Sequence, residues 1–385
     1  PPPPLAPPLP EGFPAAAPGL AAGGRFACAH EADAPPLCWG SNRFRQLGEG
    51  ASGYGAWRAE PAPVPGLGPV RRLALGGFHA CALGLDARVR CWGHGGHGQL
   101  GPASTGEDQA SPARVLEGAS AVAAGGAFSC ALVAGEALCW GANDRGQLGD
   151  GTPHARARPA PVQDARGAPL EGLVEIRLGR AHGCARNAPG AVWCWGEDVD
   201  GQVGGGGPDG ARPRGSFRVA RRAPLGHRPH ARQVVPAGAG ARARGAGASC
   251  PRHDAAWRGW GRNDARQLGV RAGGIWARPR DAEGLRDADE IGLGARHACV
   301  RFGGEIRCVG TSRDGALGLG DRRRSRELVP VPLEGPARAL AVGIGFACAW
   351  LPAGPTCWGE GYGRAPVSVG TASDLASSVR SPGTP

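Results

Sequence analysis

Short apolar runs alternate with polar stretches bounded by glycine and proline along most of this chain. No segment sustains the 3.6-residue period of a helix, so the pattern predicts strands and turns throughout. The runs also recur in a fixed order. Each copy opens with an apolar-Ala-x-Gly-Gly stretch, as in Leu73-Ala74-Leu75-Gly76-Gly77 and Val122-Ala123-Ala124-Gly125-Gly126. A strand running into a cysteine follows, then a hairpin, a second cysteine in Cys-Trp-Gly, and a polar loop ending Gln-Leu-Gly. A proline-bounded strand such as Pro61-Ala62-Pro63-Val64 or Pro159-Ala160-Pro161-Val162 closes the copy.

Four short antiparallel strands recur seven times at a spacing of about 50 residues. One such sheet cannot bury both faces alone and must stack on its neighbours. The predicted fold is therefore all-β: a seven-bladed β-propeller of four-stranded antiparallel blades. Adjacent Cys and Trp in Cys-Trp-Gly point to opposite faces of a strand. Trp39, Trp92, Trp140, Trp195, Trp260 and Trp358 are thus expected to fill the seams between blades, with Val309 in the sixth copy. The stretch 19–24 and the stretch 365–369 are expected to contribute strands to one shared blade and so close the ring. Residues 1–18, rich in Pro and Ala, read as an extended linker, 19–370 as the propeller and 371–385 as a flexible tail.

Twelve of the 13 cysteines fall into pairs: Cys28 with Cys38, Cys81 with Cys91, Cys130 with Cys139, Cys184 with Cys194, Cys299 with Cys308, and Cys348 with Cys357. A two-residue turn at Gly303-Gly304 sets Phe302 opposite Glu305, Arg301 opposite Ile306, and Cys299 opposite Cys308. That last position is a non-hydrogen-bonded site, where Cα atoms approach to about 4.5 Å, within disulfide reach. Cys81 and Cys91 behave alike around a three-residue turn at Leu85-Asp86-Ala87. Six pairs in register favour an oxidising compartment. Free buried thiols in a reducing cytosol are the alternative, and metal sites are weaker because no C-x-x-C occurs. Cys250 stands alone, since the fifth copy reads Gly259-Trp260-Gly261; it is expected to be a free thiol.

The net charge of +11 rests on 44 arginines, for the chain has no lysine, and it has no methionine. Such a bias toward Arg, Ala, Gly and Pro matches a GC-rich, bacterial-type coding sequence and weakens any reading of the charge as a nucleic-acid footprint. Absent lysine excludes Walker phosphate loops, Schiff-base chemistry and the kinase lysine. No apolar run is long enough to span a membrane. No initiator methionine or signal peptide precedes Pro1, which reads as a trimmed chain.

The segments His79 to Leu83 with Val89 to Gly101, and Ser129 to Leu132 with Leu138 to Gly151, resemble the repeat of the regulator of chromosome condensation family. The resemblance spans roughly residues 19–370. It implies a seven-bladed propeller, and the paired cysteines are more similar to the bacterial, exported branch. Nuclear members are exchange factors for a small GTPase that dock on nucleosomes, but their active loops have no residue-by-residue match here. A bacterial β-lactamase inhibitor uses a similar ring to clamp an enzyme.

Candidate chemistry is sparse. His79, His182 and His297 share a slot with Phe26, Phe128 and Phe346, which marks a packing position. Asp144 and Asp150 suit a calcium loop, yet the second copy reads His94-Gly95-Gly96-His97 there, so no ligand set recurs. Gly343-Ile344-Gly345 lacks the helix and acidic residue of a dinucleotide site. No cofactor, metal or catalytic set is predicted. Residues 205–252, a basic insertion in the degenerate fifth repeat, carry ten arginines against Asp209 alone, and a second cluster is Arg322-Arg323-Arg324-Ser325-Arg326. Arg218, Arg221, Arg222, Arg322, Arg323 and Arg324 are the candidate partner-binding residues.

These features together predict an exported, monomeric, non-catalytic scaffold, secreted or at the cell surface and anchored through its N-terminal linker. Its partner would be a protein or, second, an anionic glycan or surface; with little aromatic interleaving, nucleic acid is disfavoured. The alternatives are an exchange factor-like or chromatin-associated regulator, and an inhibitor of a secreted enzyme.

Overall fold

The computed structural model describes residues 19–369, apart from positions 32, 50, 51, 105, 205–226, 236–238, 242–247, 250, 254–255, 267 and 269–273. The strands form seven antiparallel sheets, each built from one uninterrupted stretch of chain. Blade 1 comprises Gly19–Ala22, Phe26–His30, Leu37–Ser41 and Trp57–Pro63. Blade 2 comprises Val70–Leu75, His79–Gly84, Val89–Gly93 and Gln109–Leu116, and blades 3 to 7 follow in order. First strands of neighbouring blades touch: those of blades 1 to 4 in succession, and those of blades 6, 7 and 1. They form the hub of the ring, and fourth strands form its rim.

Each seam is a recurring apolar lock. Trp92 packs on Cys28, Cys38 and Leu47 of blade 1, Trp140 on Cys81, Cys91 and Leu100 of blade 2, and Trp195 on Cys130, Cys139 and Leu148 of blade 3. The predicted role of the tryptophans therefore holds, and Val309 takes it in blade 6. The indole N–H also crosses the seam. Trp92 donates to the Gln46 carbonyl at 3.0 Å, Trp140 to Gln99 at 2.9 Å, Trp195 to Gln147 at 2.9 Å and Trp260 to Gln202 at 2.8 Å. The last glycine of Gln-Leu-Gly is required here: Gly149 sits at φ +67° and a Cβ there would stand 2.8 Å from the Trp195 ring.

At the hub, the Gly-Gly pairs make a belt of backbone bonds between blades. The amide of Gly24 donates to Gly76 at 3.0 Å, Gly77 to Gly126 at 3.0 Å, and Gly126 to Arg180 at 2.9 Å. A Cβ on Gly77 would lie 2.7 Å from the Gly126 carbonyl, so side chains are excluded where the blades converge.

All six predicted cysteine pairs are bonded, each with Cα atoms 4.1 Å apart. Register agrees with the turn argument: Phe302 faces Glu305, Arg301 faces Ile306 and Cys299 faces Cys308. Each bridge closes a short hairpin and contributes about 2–3 kcal/mol by the chain-entropy estimate.

Two expectations meet the structure differently. The shared closing blade does not form. Gly19 pairs with His30 and Ala22 with Ala27 inside blade 1, whereas Val367 pairs with Cys357 inside blade 7. Both terminal strands find partners a few residues away, which costs far less loop-closure entropy than a pairing across the whole chain. The ring closes instead by packing of Trp39, Ala27 and Leu37 against Phe346, Cys348, Cys357 and Trp350. In blade 5 the second strand is split into Ala248–Ser249 and Pro251–His253, both paired with Ala256–Arg262. Cys250 lies outside the described residues.

Candidate interaction face

Antiparallel order puts two sets of connections at one end of the ring: those from first to second strands and those from third to fourth. The second set is the polar loop after Cys-Trp-Gly, and its fixed letters are consumed by structure. Asn143 Oδ1 accepts the Leu148 amide at 3.0 Å, and Gln147 Oε1 accepts the Arg145 amide at 2.7 Å. Asn42 and Gln46 repeat this in blade 1, at 3.0 and 2.7 Å. Internally bonded loops hold their shape without a partner, and the letters between the fixed ones remain at the surface for contact.

Those intervening positions meet across the seams. Arg145 of blade 3 bonds Glu197 of blade 4 at 3.2 Å, and Asp200 of blade 4 bonds Arg262 of blade 5 at 3.1 Å. Asp264 of blade 5 reaches Arg296 of blade 6 at 3.4 Å, and Glu360 of blade 7 reaches Arg25 of blade 1 at 3.0 Å. Partly exposed pairs like these contribute little to stability, about 0–1 kcal/mol each, and mainly set the charge pattern of the face.

The seam between blades 1 and 2 is different. Phe44 occupies the position of Arg145, its ring centroid 4.9 Å from Phe78 and 4.7 Å from His94. The Arg43 guanidinium lies over the Phe44 ring at 5.0 Å and over the Tyr54 ring at 5.3 Å. Tyr54 is 93% exposed and Phe78 37% exposed. His94 Nδ1 is 2.7 Å from Asp108 Oδ1. Sequence reasoning passed over this group. Its signal is visible only when the loops are aligned copy by copy, because then Phe44 stands where Arg145 and Asp200 do, and Phe78 where Arg25 and Arg296 do.

Of the candidate arginines, Arg218, Arg221 and Arg222 lie outside the described residues, as does most of the insertion 205–252. Arg322, Arg323 and Arg324 are exposed in the loop between Glu305–Gly310 and Ser325–Pro330 of blade 6, at the same end of the ring. Asp321 pairs with Arg323 at 3.1 Å. Among the described residues, Arg322 and Arg324 meet no carboxylate.

The His/Phe slot is interior. His79, His182 and His297 are buried. Burial holds their imidazoles well below the usual value, at about 3, 4 and 4, with His94 adding a smaller push on His79. His79 Nε2 lies 2.8 Å from Ser129 Oγ of blade 3, which donates to the Gln99 carbonyl at 3.2 Å. A neutral imidazole tying two blades together is a packing element, as the sharing of its slot with phenylalanine implied. The Gly-Gly belt borders an open apolar depression at the hub, lined by Leu75, Ala124, Leu178, Leu293, Val342 and Ile344 among others. Among the described residues no three His, Cys, Asp or Glu side chains gather as a metal site. Among the described residues no helix is long and apolar enough to cross a membrane.

Residues 70–99 and 134–186 match models of the regulator of chromosome condensation repeat. The RCC1 domain-containing protein RUG3, mitochondrial, of Arabidopsis thaliana is 38% identical over 37% of this chain, which spans 33% of that protein. The E3 ubiquitin-protein ligase HERC2 of Homo sapiens is 27% identical over 77% of the chain, which spans 6% of the ligase. The crystal structure of Prp20p from Saccharomyces cerevisiae superimposes with a TM-score of 0.71 at 18% identity, covering 88% of this chain and 86% of that one. With the loop after each Cys-Trp-Gly now placed at the seams, the chain is a seven-bladed β-propeller that carries regulator of chromosome condensation repeats at residues 70–99 and 134–186.

Proposed function

We propose that this propeller is a non-catalytic scaffold of an oxidising compartment, secreted or at the cell surface, that binds a protein partner through the loop end of its ring. The observation carrying this reading is the division of labour in the loops. Asn, Gln, Leu and Gly are spent on shape where the loop keeps them, and the pair that follows the Asn position changes from blade to blade, as in Arg43-Phe44, Asp144-Arg145, Val199-Asp200 and Arg313-Asp314. A rigid frame presenting variable side chains suits recognition better than chemistry. Prp20p, whose structure was described with its binding to Gsp1p and histones, offers a protein-binding precedent on the same fold. Its partners are its own. Six hairpin disulfides support the oxidising compartment over a nuclear exchange factor-like regulator.

Two measurements test the proposal. Protein taken directly from its source cells and alkylated while denatured should label at one cysteine of the 13, with the other twelve reacting only after reduction. Label at all thirteen would sink the oxidising compartment and favour the regulator. A photo-crosslinking residue at Asp144, on the loop end, should capture a protein from the native surface fraction, whereas one at Asp86, on the hairpin end, should not. Equal capture at both positions, or at neither, would overturn the loop-end reading.

A further inference from the structure

We infer that the seam between blades 1 and 2 is a docking site for an acidic protein segment carrying an apolar or aromatic side chain; this rests on the scaffold reading and gives it a place and a partner chemistry. Elsewhere on the loop end the described seams join arginine to carboxylate across blades, with a Trp57–Tyr362 ring contact at 5.2 Å beside Arg25–Glu360 where blade 7 meets blade 1. Here Phe44, Phe78 and His94 stack across the seam, and Tyr54 extends the patch into solvent. The chain holds only 8 phenylalanines and 2 tyrosines, so three of these ten at one exposed corner is a concentration that packing does not require. Phe26, Phe128 and Phe346 are all buried in the blades.

Charge selects the partner. The Arg43 guanidinium is held over two rings, which orders it without using any of its N–H donors, and among the described residues it meets no carboxylate. Arg45, exposed beside Phe44 at φ +63°, meets none either. The nearby acids are already engaged: Asp108 by His94 at 2.7 Å and Glu49 by Arg58 at 2.6 Å. The corner therefore combines flat apolar rings with unanswered guanidinium forks. That is the composition of a binding hot spot, with stacking surface for an apolar side chain and bidentate donors for a carboxylate beside it.

A displayed library of random peptides of about twelve residues, selected on the full-length oxidised protein, tests the inference. Enriched peptides should place Asp or Glu next to Phe, Trp or Leu. Fluorescein-labelled versions of them should bind at least about tenfold more weakly to the Arg43→Ala/Tyr54→Ala variant and to Phe78→Ala. Binding to Arg322→Ala/Arg324→Ala should be unchanged. Arg43 and Tyr54 are exposed, so the double variant should keep the wild-type melting temperature, which separates lost binding from lost fold. Peptides indifferent to Arg43→Ala/Tyr54→Ala but lost with Arg322→Ala/Arg324→Ala would overturn this site while leaving a binding scaffold. Uniformly acidic peptides displaced by heparin would mark a polyanion surface and also overturn it. A selection yielding no enrichment would refute the docking site, and the crosslinking comparison above would then judge the scaffold by itself.

Discussion

The seam tryptophans allow a test in which one residue is its sibling's control. Trp92 and Trp39 are both fully buried and occupy equivalent positions. Trp92 donates its indole N–H to Gln46 of the preceding blade at 3.0 Å. For Trp39 the preceding blade is blade 7, where Gly359-Glu360-Gly361-Tyr362 stands in place of the usual loop, and among the described residues Trp39 Nε1 has no hydrogen-bond partner. Replacing either residue by phenylalanine removes a similar volume and so leaves a similar cavity. Beyond that common loss, Trp92→Phe forfeits a buried hydrogen bond and strands a carbonyl, costing about 1–3 kcal/mol, whereas Trp39→Phe deletes a donor whose desolvation is already uncompensated. Trp92→Phe should therefore be the more destabilising by about 1–3 kcal/mol. Urea unfolding of both variants with disulfides intact, read at equal slopes, gives the difference. Equal losses, or a larger loss for Trp39→Phe, would refute the claim that the Gln-Leu-Gly carbonyl is what each indole seeks.

Acid should weaken the ring through its interior imidazoles. Burial holds His30, His79, His182 and His297 at about 4, 3, 4 and 4, below the unfolded value near 6.5. The unfolded chain thus takes up these protons first, so stability is complete above pH 7 and declines from about 6.5 toward 4. The loss is about 2–3 kcal/mol per histidine at pH 4.5. His182→Phe, which copies the residue of other blades, should flatten the melting-temperature profile between pH 7 and 4.5; an unchanged slope would contradict the assignment. Gly77→Ala forces a Cβ against the Gly126 carbonyl at the hub and should cost about 3 kcal/mol. Gly66→Ala, at φ +73° with open space around it, should cost about 1 kcal/mol. Urea midpoints that rank the two equally would argue against the belt.

Much of the ring was legible because its constraints are local. The turn at Gly303-Gly304 and the period-two alternation are enough to place Cys299 against Cys308, and adjacency in Cys-Trp-Gly is enough to send Trp140 into the seam. Closure was misread for a physical reason. Each of the seven blades, six of them built on a cysteine hairpin, already owned a first and a last strand, so no strand was left over to share. The role of Gln in Gln-Leu-Gly was also hidden, since its backbone carbonyl, not its side chain, reaches the next blade. The corner formed by Phe44, Tyr54, Phe78 and His94 draws on three separate connections of two blades. Its residues look unremarkable until the fold sets them side by side.

Because every blade is one continuous stretch, the place where this polypeptide starts is topologically arbitrary. The chain enters at the axis with Gly19–Ala22 and leaves at the circumference with Gly363–Ser368, the same outward-to-inward step that Leu116 to Ala119 makes between blades 2 and 3. A short tether joining Ser368 directly to Gly19, in place of the segments outside them, would resemble any ordinary interblade connection. Fresh termini could then be opened at another boundary. Such a permuted circle would keep all six bridges intact and would place a covalent strap at the one junction where an indole goes unanswered.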